Sequence, residues 1–113
     1  MEDMYDLMLP LERLESMGFK RVGEWRIEVQ ELTLKLNEHA DEQNILYAFV
    51  VDGEVVYIGK TVQPLKRRLY GYQRPGPTQS TNNKGNEFIK EKLSSKKLVE
   101  IYALPDNGLL SYG

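Results

Sequence analysis

Cysteine is absent from the 113-residue chain, which excludes disulfides and thiolate metal sites. Histidine occurs once, at His39, in the polar connector NEHADEQN. With no cysteine or second histidine beside it, His39 reads as a solvated side chain rather than a ligand or a base. No apolar run approaches the ~20 residues that span a bilayer. The N-terminus, MEDMYDLMLPLE, is acidic and lacks the basic start of a signal peptide. A cytoplasmic chain with no membrane partner is the expectation. A phosphate-binding P-loop is missing too. Gly59-Lys60-Thr61 has the ending of G-x-x-x-x-G-K-[ST], but Glu54 stands where the first glycine belongs and Gly53 comes one residue early. The intervening Val55-Val56-Tyr57-Ile58 is strand-forming and cannot curl its N–H groups around a phosphate. That excludes an NTPase.

What is present suits one domain with a modest core. The net charge of −2 hides a split. Residues 1–56 carry 13 acidic and 5 basic side chains, and residues 57–113 carry 4 acidic and 10 basic. A basic half of this kind is a footprint of phosphate-backbone binding, or else one solvated face of a mixed surface. Met4, Leu7, Met8, Leu11 and Leu14 recur at helical spacing, with Pro10 breaking the run and Gly18 ending it. Residues 19–36 alternate: Trp25, Ile27 and Val29 share one face, and Leu32, Leu34 and Leu36 share another after a one-residue shift. That pattern fits two strands, or one with a bulge.

The densest signal lies in residues 45–72. Ile45–Val51 is an apolar, β-branched run of the kind a buried strand needs, and Asp52-Gly53 is a tight-turn signal. Glu54–Ile58 forms the return strand, and Pro64 opens a helix. At about 100° per residue from Leu65, Leu69 falls near 40° and Tyr72 near 340°, making a packed stripe. Arg68, near 300°, sits on its edge, whereas Arg67, near 200°, is expected to face away with Lys66 on the outer surface. Residues 73–83 read as a polar loop whose hydroxyls and amides can donate to phosphates. A helix over 83–95 follows, capped among Thr81, Asn82 and Asn83, with Phe88, Ile89, Lys92 and Leu93 on one face. Residues 98–104 read as a third strand and 105–108 as a turn.

Ile45-Leu46-Tyr47 and Tyr57-Ile58-Gly59 resemble the two halves of the GIY-YIG nuclease signature. Lys60 after the glycine, and Leu65 with Arg68 on the following helix, match as well. The likeness covers residues 44–104. The first motif reads Ile-Leu-Tyr instead of Gly-Ile-Tyr, and Tyr72 stands where many members have histidine. Both departures look more like the phage and restriction-endonuclease branch.

The resemblance implies an α+β fold, with a small mixed or antiparallel sheet of at least three strands flanked by helices. It divides the chain into an N-terminal extension, 1–43, and a nuclease-like core, 44–113. It implies hydrolysis of DNA phosphodiesters with Mg²⁺ or Mn²⁺. Tyr57 would activate water with Lys60 beside it, its phenol lowered from ~10 by the ammonium. Tyr47 would hold the water or the Tyr57 hydroxyl, and Arg68 and Tyr72 would contact the scissile phosphate. Lys66, Arg67, Arg74, Lys84 and Lys90 are the expected DNA-backbone contacts. In the family a further helix brings the glutamate that binds the metal. No glutamate follows Glu100, so a chain truncated before that ligand, and inactive or nearly so by itself, is the expectation. A silent DNA-binding module and a small protein-interaction domain are the alternatives.

Overall fold

The computed structural model describes residues 9–105. In chain order these form β1 (Leu9–Pro10), α1 (Leu11–Met17), β2 (Lys20–Glu28), β3 (Glu31–Leu36), β4 (Ile45–Val51) and β5 (Glu54–Thr61). Then come α2 (Leu65–Gln73), α3 (Ser80–Ser94) and β6 (Val99–Pro105). The strands make one six-stranded sheet in the order β1-β5-β4-β6-β2-β3. Every neighbouring pair is antiparallel. The fold is α+β, with the three core strands paired as β5-β4-β6. Strands from both sides of residue 43 share this sheet, because β2 pairs with β6.

β4 lies at the centre and is covered on both faces, which is why its run is apolar throughout. Tyr47, Phe49 and Val51 face α2 and α3, packing with Trp25, Leu69, Tyr72, Ile89 and Ile101. Ala48 and Val50 face the other way, against Leu14, Phe19, Val55 and Tyr102. α1 starts directly after Pro10 and ends at Gly18, whose φ of 107° suits a residue without a Cβ. Met4, Leu7 and Met8 lie outside the described residues, as does the expected turn beyond Pro105.

Local chemistry sets the remaining joints. Asp52 and Gly53 both have positive φ, 48° and 86°, as an Asp-Gly hairpin turn requires. The Asp52 carboxylate also accepts the Leu98 N–H at 2.8 Å, tying this turn to the start of β6. The connector before β4 completes the start of α2: the Leu65 and Lys66 N–H groups donate to the Glu42 and Ala40 carbonyls, each at 2.9 Å. His39 sits in that connector, partly exposed, with Glu38 and Glu42 nearby.

Residues 19–36 form two paired strands, as their alternation implies; of the face shared by Trp25, Ile27 and Val29 only Trp25 is fully buried, Ile27 being 38% exposed and Val29, at the tip, 94%. Two expectations need correction. The loop expected over 73–83 ends early, because α3 begins at Ser80. Its N-cap is Gln79 and makes no side-chain capping bond, so Thr81, Asn82 and Asn83 are helical residues instead of caps.

Candidate active site

The site begins with an irregularity in β5. Val51 pairs with Glu54 and Val50 with Val55, but Phe49 pairs with Tyr57, leaving Val56 as the extra residue of a bulge. In a regular ladder Tyr57 would oppose Ala48 and face α1. The bulge moves it to the α2 and α3 face, beside Tyr47, with the two ring centroids 6.0 Å apart. Gly59 pairs with Tyr47 on the same face. A Cβ there would lie 2.7 Å from the Tyr47 Cζ and hydroxyl and 2.8 Å from the Tyr57 ring. The glycine therefore provides the floor on which both rings rest.

α2 brings the third tyrosine. Leu65, Leu69 and Tyr72 are fully buried on one stripe, as the helical angles require. The Tyr72 hydroxyl lies 3.2 Å from that of Tyr47. Tyr57 joins the same network through hydrogen bonds with Tyr72 and Tyr47. Arg68 donates from Nη2 to the Tyr72 hydroxyl at 2.8 Å and stacks its guanidinium over the same ring at 4.5 Å. Its Nη1 donates to Asn82 Oδ1 at 3.0 Å. Asn82 in turn donates to Gln79 Oε1 at 3.1 Å, and the Gly76 N–H donates to that oxygen at 2.9 Å. Gly71 makes room for this link, since a Cβ there would meet the Asn82 amide at 2.9 Å. The guanidinium plane is thus fixed from two sides.

Asn82 was expected as a helix cap or loop donor and Gln79 as a loop residue, and neither was expected to brace Arg68. Their i, i+3 spacing is the available signal, and it is masked because QSTNNKGN is poor in helix formers. Asn86 was missed likewise: it is buried and donates to the Tyr72 carbonyl at 2.7 Å, docking α3 on the end of α2.

Arg68 opens onto a cleft of about 640 Å³. Lys60, Arg67 and Arg68 line it with the amides of Gln63, Gln79 and Asn82, and among the described residues no carboxylate does. Such a lining attracts anions. Arg67, expected to face away, is part of this wall. Lys60 also departs from expectation. It pairs with Leu46, so its register puts it on the face opposite Tyr57, and it reaches the cleft at the edge of the sheet. The other basic residues lie elsewhere. Lys66 lines a neighbouring groove and pairs with Asp41 at 3.1 Å. Arg74 pairs with Glu31 at 3.2 Å, and Lys84 and Lys90 are exposed on α3.

Burial pushes the Tyr57 phenol up to about 12, and coupling to Tyr47 adds to the rise. The Arg68 charge acts the other way without reversing it. The expected lowering of Tyr57 does not occur, because burial outweighs it. Tyr72 is also raised, again chiefly by burial. At neutral pH Tyr57 and Tyr72 are therefore hydrogen-bonding phenols beside the Arg68 guanidinium. Three cations and three amides do not fit a Mg²⁺ or Mn²⁺ ion, which needs carboxylate oxygen. Among the described residues no group of three or more His, Asp or Glu could hold a metal.

No protein-family profile matches the chain, and no curated protein does. Solved structures do. The chain is similar to a mutant of bacteriophage T4 EndoII, with a TM-score of 0.69 and 25% identity over 84% of this chain and 71% of that one. It is also similar to the restriction endonuclease HPY188I in complex with product DNA, with a TM-score of 0.63 and 18% identity. That match covers 88% of this chain and 62% of the other, so the chain spans less than two thirds of that enzyme. The architecture built around the tyrosine cluster is a nuclease fold.

Proposed function

We propose that this chain forms the core of a DNA endonuclease of GIY-YIG type, hydrolysing phosphodiesters in the cleft beside Arg68. The observation that carries the reading is a cleft lined by Lys60, Arg67 and Arg68, with Arg68 braced by Tyr72 and Asn82. Phosphodiester hydrolysis needs an oriented water and neutralisation of charge on the transition state. Arg68, fixed before substrate arrives, makes a charge-assisted contact to the phosphate with little reorganisation. Lys60 and Arg67 add positive potential along the strand on either side. Tyr57, protonated at rest, orients the attacking water through its hydroxyl, with Tyr47 and Tyr72 holding that hydroxyl in place. A divalent cation would stabilise the leaving oxygen, as the family resemblance implies. The described cleft does not itself supply that ion's ligand.

Plasmid nicking and duplex binding test the reading together. Residues 1–113 should bind duplex DNA with affinity falling steeply between ~50 and ~200 mM salt, and should nick poorly without an added carboxylate ligand. Binding indifferent to salt, or nicking that survives Arg68→Ala, contradicts it. The lining of cations and amides among the described residues favours one second reading, a DNA-binding module that keeps the fold without the chemistry. Intact binding, with no nicking by any longer protein containing this chain, identifies that case.

A further inference from the structure

A second concavity, of about 500 Å³, adjoins the cleft on the outer side of α2. Leu34, Tyr70 and Gln73 line it, with Lys66 and Arg67. Arg67 lines the cleft as well, so the two sites share a wall. Tyr70 is 50% exposed and belongs to neither core cluster. The tyrosine stripe and the cleft chemistry make no use of it. Gln73 accepts the Leu34 N–H on its Oε1 at 2.9 Å, which anchors β3 to α2 and leaves the amide to offer its Nε2 N–H groups. Lys66 pairs with Asp41, and the two side chains are 61% and 84% exposed. An exposed pair of this kind contributes little and is readily exchanged for a phosphate.

We propose that this groove receives an unpaired nucleobase of the DNA strand whose backbone runs through the cleft, stacked on Tyr70. The proposal rests on the endonuclease reading and narrows its substrate to DNA with at least one unstacked nucleotide beside the bound phosphate. Three features favour a base over other occupants. An exposed aromatic ring beside an aliphatic side chain presents a flat apolar surface, which is what a base needs for stacking. The Gln73 amide meets the carbonyl edge that a pyrimidine or guanine carries. Lys66 and Arg67 complement the phosphates on either side of such a base, and Arg67 joins the groove to the anion-binding cleft.

The test uses residues 1–113 with two labelled probes of the same length, about 20 nucleotides, enough to fill several sites. One is a thymidine oligonucleotide and the other the same backbone built from abasic units. The wild type should prefer the thymidine probe about tenfold. Tyr70→Ala should abolish that preference and leave the salt dependence unchanged, and Tyr70→Phe should retain the preference. Because Tyr70 is half exposed, Tyr70→Ala should keep its circular dichroism spectrum and melting behaviour. If Tyr70→Ala keeps the base preference, the groove is not a base site, and the endonuclease reading stands. If sedimentation shows a wild-type dimer that Tyr70→Ala dissociates, a second copy covers the groove and the proposal fails. If neither probe nor duplex DNA binds, the endonuclease reading fails, and the groove assignment with it.

Discussion

Replacing Gly59 by alanine tests the packing on which the site depends. The added Cβ would lie 2.7 Å from the Tyr47 Cζ and hydroxyl and 2.8 Å from the Tyr57 ring. Tyr47 is 1% exposed, and its hydroxyl is 3.2 Å from that of Tyr72, so it has no space into which to swing. Two effects compete. Alanine in a strand interior recovers roughly 0.5–1 kcal/mol of backbone entropy relative to glycine. Overpacking a tight core costs about 1–3 kcal/mol. The steric term wins, and a net loss of about 1–2 kcal/mol should lower Tm by roughly 5–10 °C. Urea unfolding followed by circular dichroism measures it, with a shifted midpoint and an unchanged slope. Replacing Tyr47 by leucine in the same background should recover part of the loss, a coupling that a double-mutant cycle reads directly. A Gly59→Ala variant as stable as the wild type would show that the rings have room to move.

Asn82→Ala should leave stability near that of the wild type but release one side of Arg68, lowering duplex affinity up to about tenfold; unchanged affinity in fluorescence anisotropy would refute the bracing role. Tyr57 is raised from 10.0 to about 12 by burial, so its folded state holds the proton more tightly than the unfolded chain. Its contribution is then complete below pH 10 and lost as pH rises through 12. Tyr57→Phe should flatten that part of the stability profile, and an absorbance titration showing ionisation of Tyr57 at or below its ordinary value would contradict this. The β2–β3 turn holds Val29 and Gln30 at φ of 50° and 64°, a left-handed pair that Asn-Gly adopts with far less strain. Val29→Asn with Gln30→Gly should therefore stabilise the domain by about 1 kcal/mol in urea unfolding.

The central hairpin was legible because Ile45–Val51 is apolar on both faces and Asp52-Gly53 has one favoured turn. The α2 stripe was legible because Leu65, Leu69 and Tyr72 keep helical spacing. The β5 bulge was not, since its only mark is a register that skips Val56, and nothing in Val55-Val56-Tyr57 signals that skip. Yet the bulge decides whether Tyr57 meets Tyr47. Lys60 follows Tyr57 by three residues, so strand alternation starts its side chain on the other face, and it lines the cleft only by its length. Arg67 was misplaced because a helical angle gives the direction of the Cα–Cβ bond, whereas a long side chain can reach round to a neighbouring cleft. Asn82 was hidden by its composition, because STNN reads as a loop until its packing against α2 is known.

The central claim is that the cleft formed by Lys60, Arg67 and Arg68 holds the DNA backbone. Duplex binding measured against salt for the wild type and for the triple glutamine variant Lys60→Gln, Arg67→Gln, Arg68→Gln tests it most directly. Each phosphate contact contributes about 0.9 to the slope of log affinity against log salt concentration. The account predicts that the slope falls by roughly 2–3 in the variant while the fold is retained. Equal slopes would place the DNA elsewhere on the molecule and contradict the account.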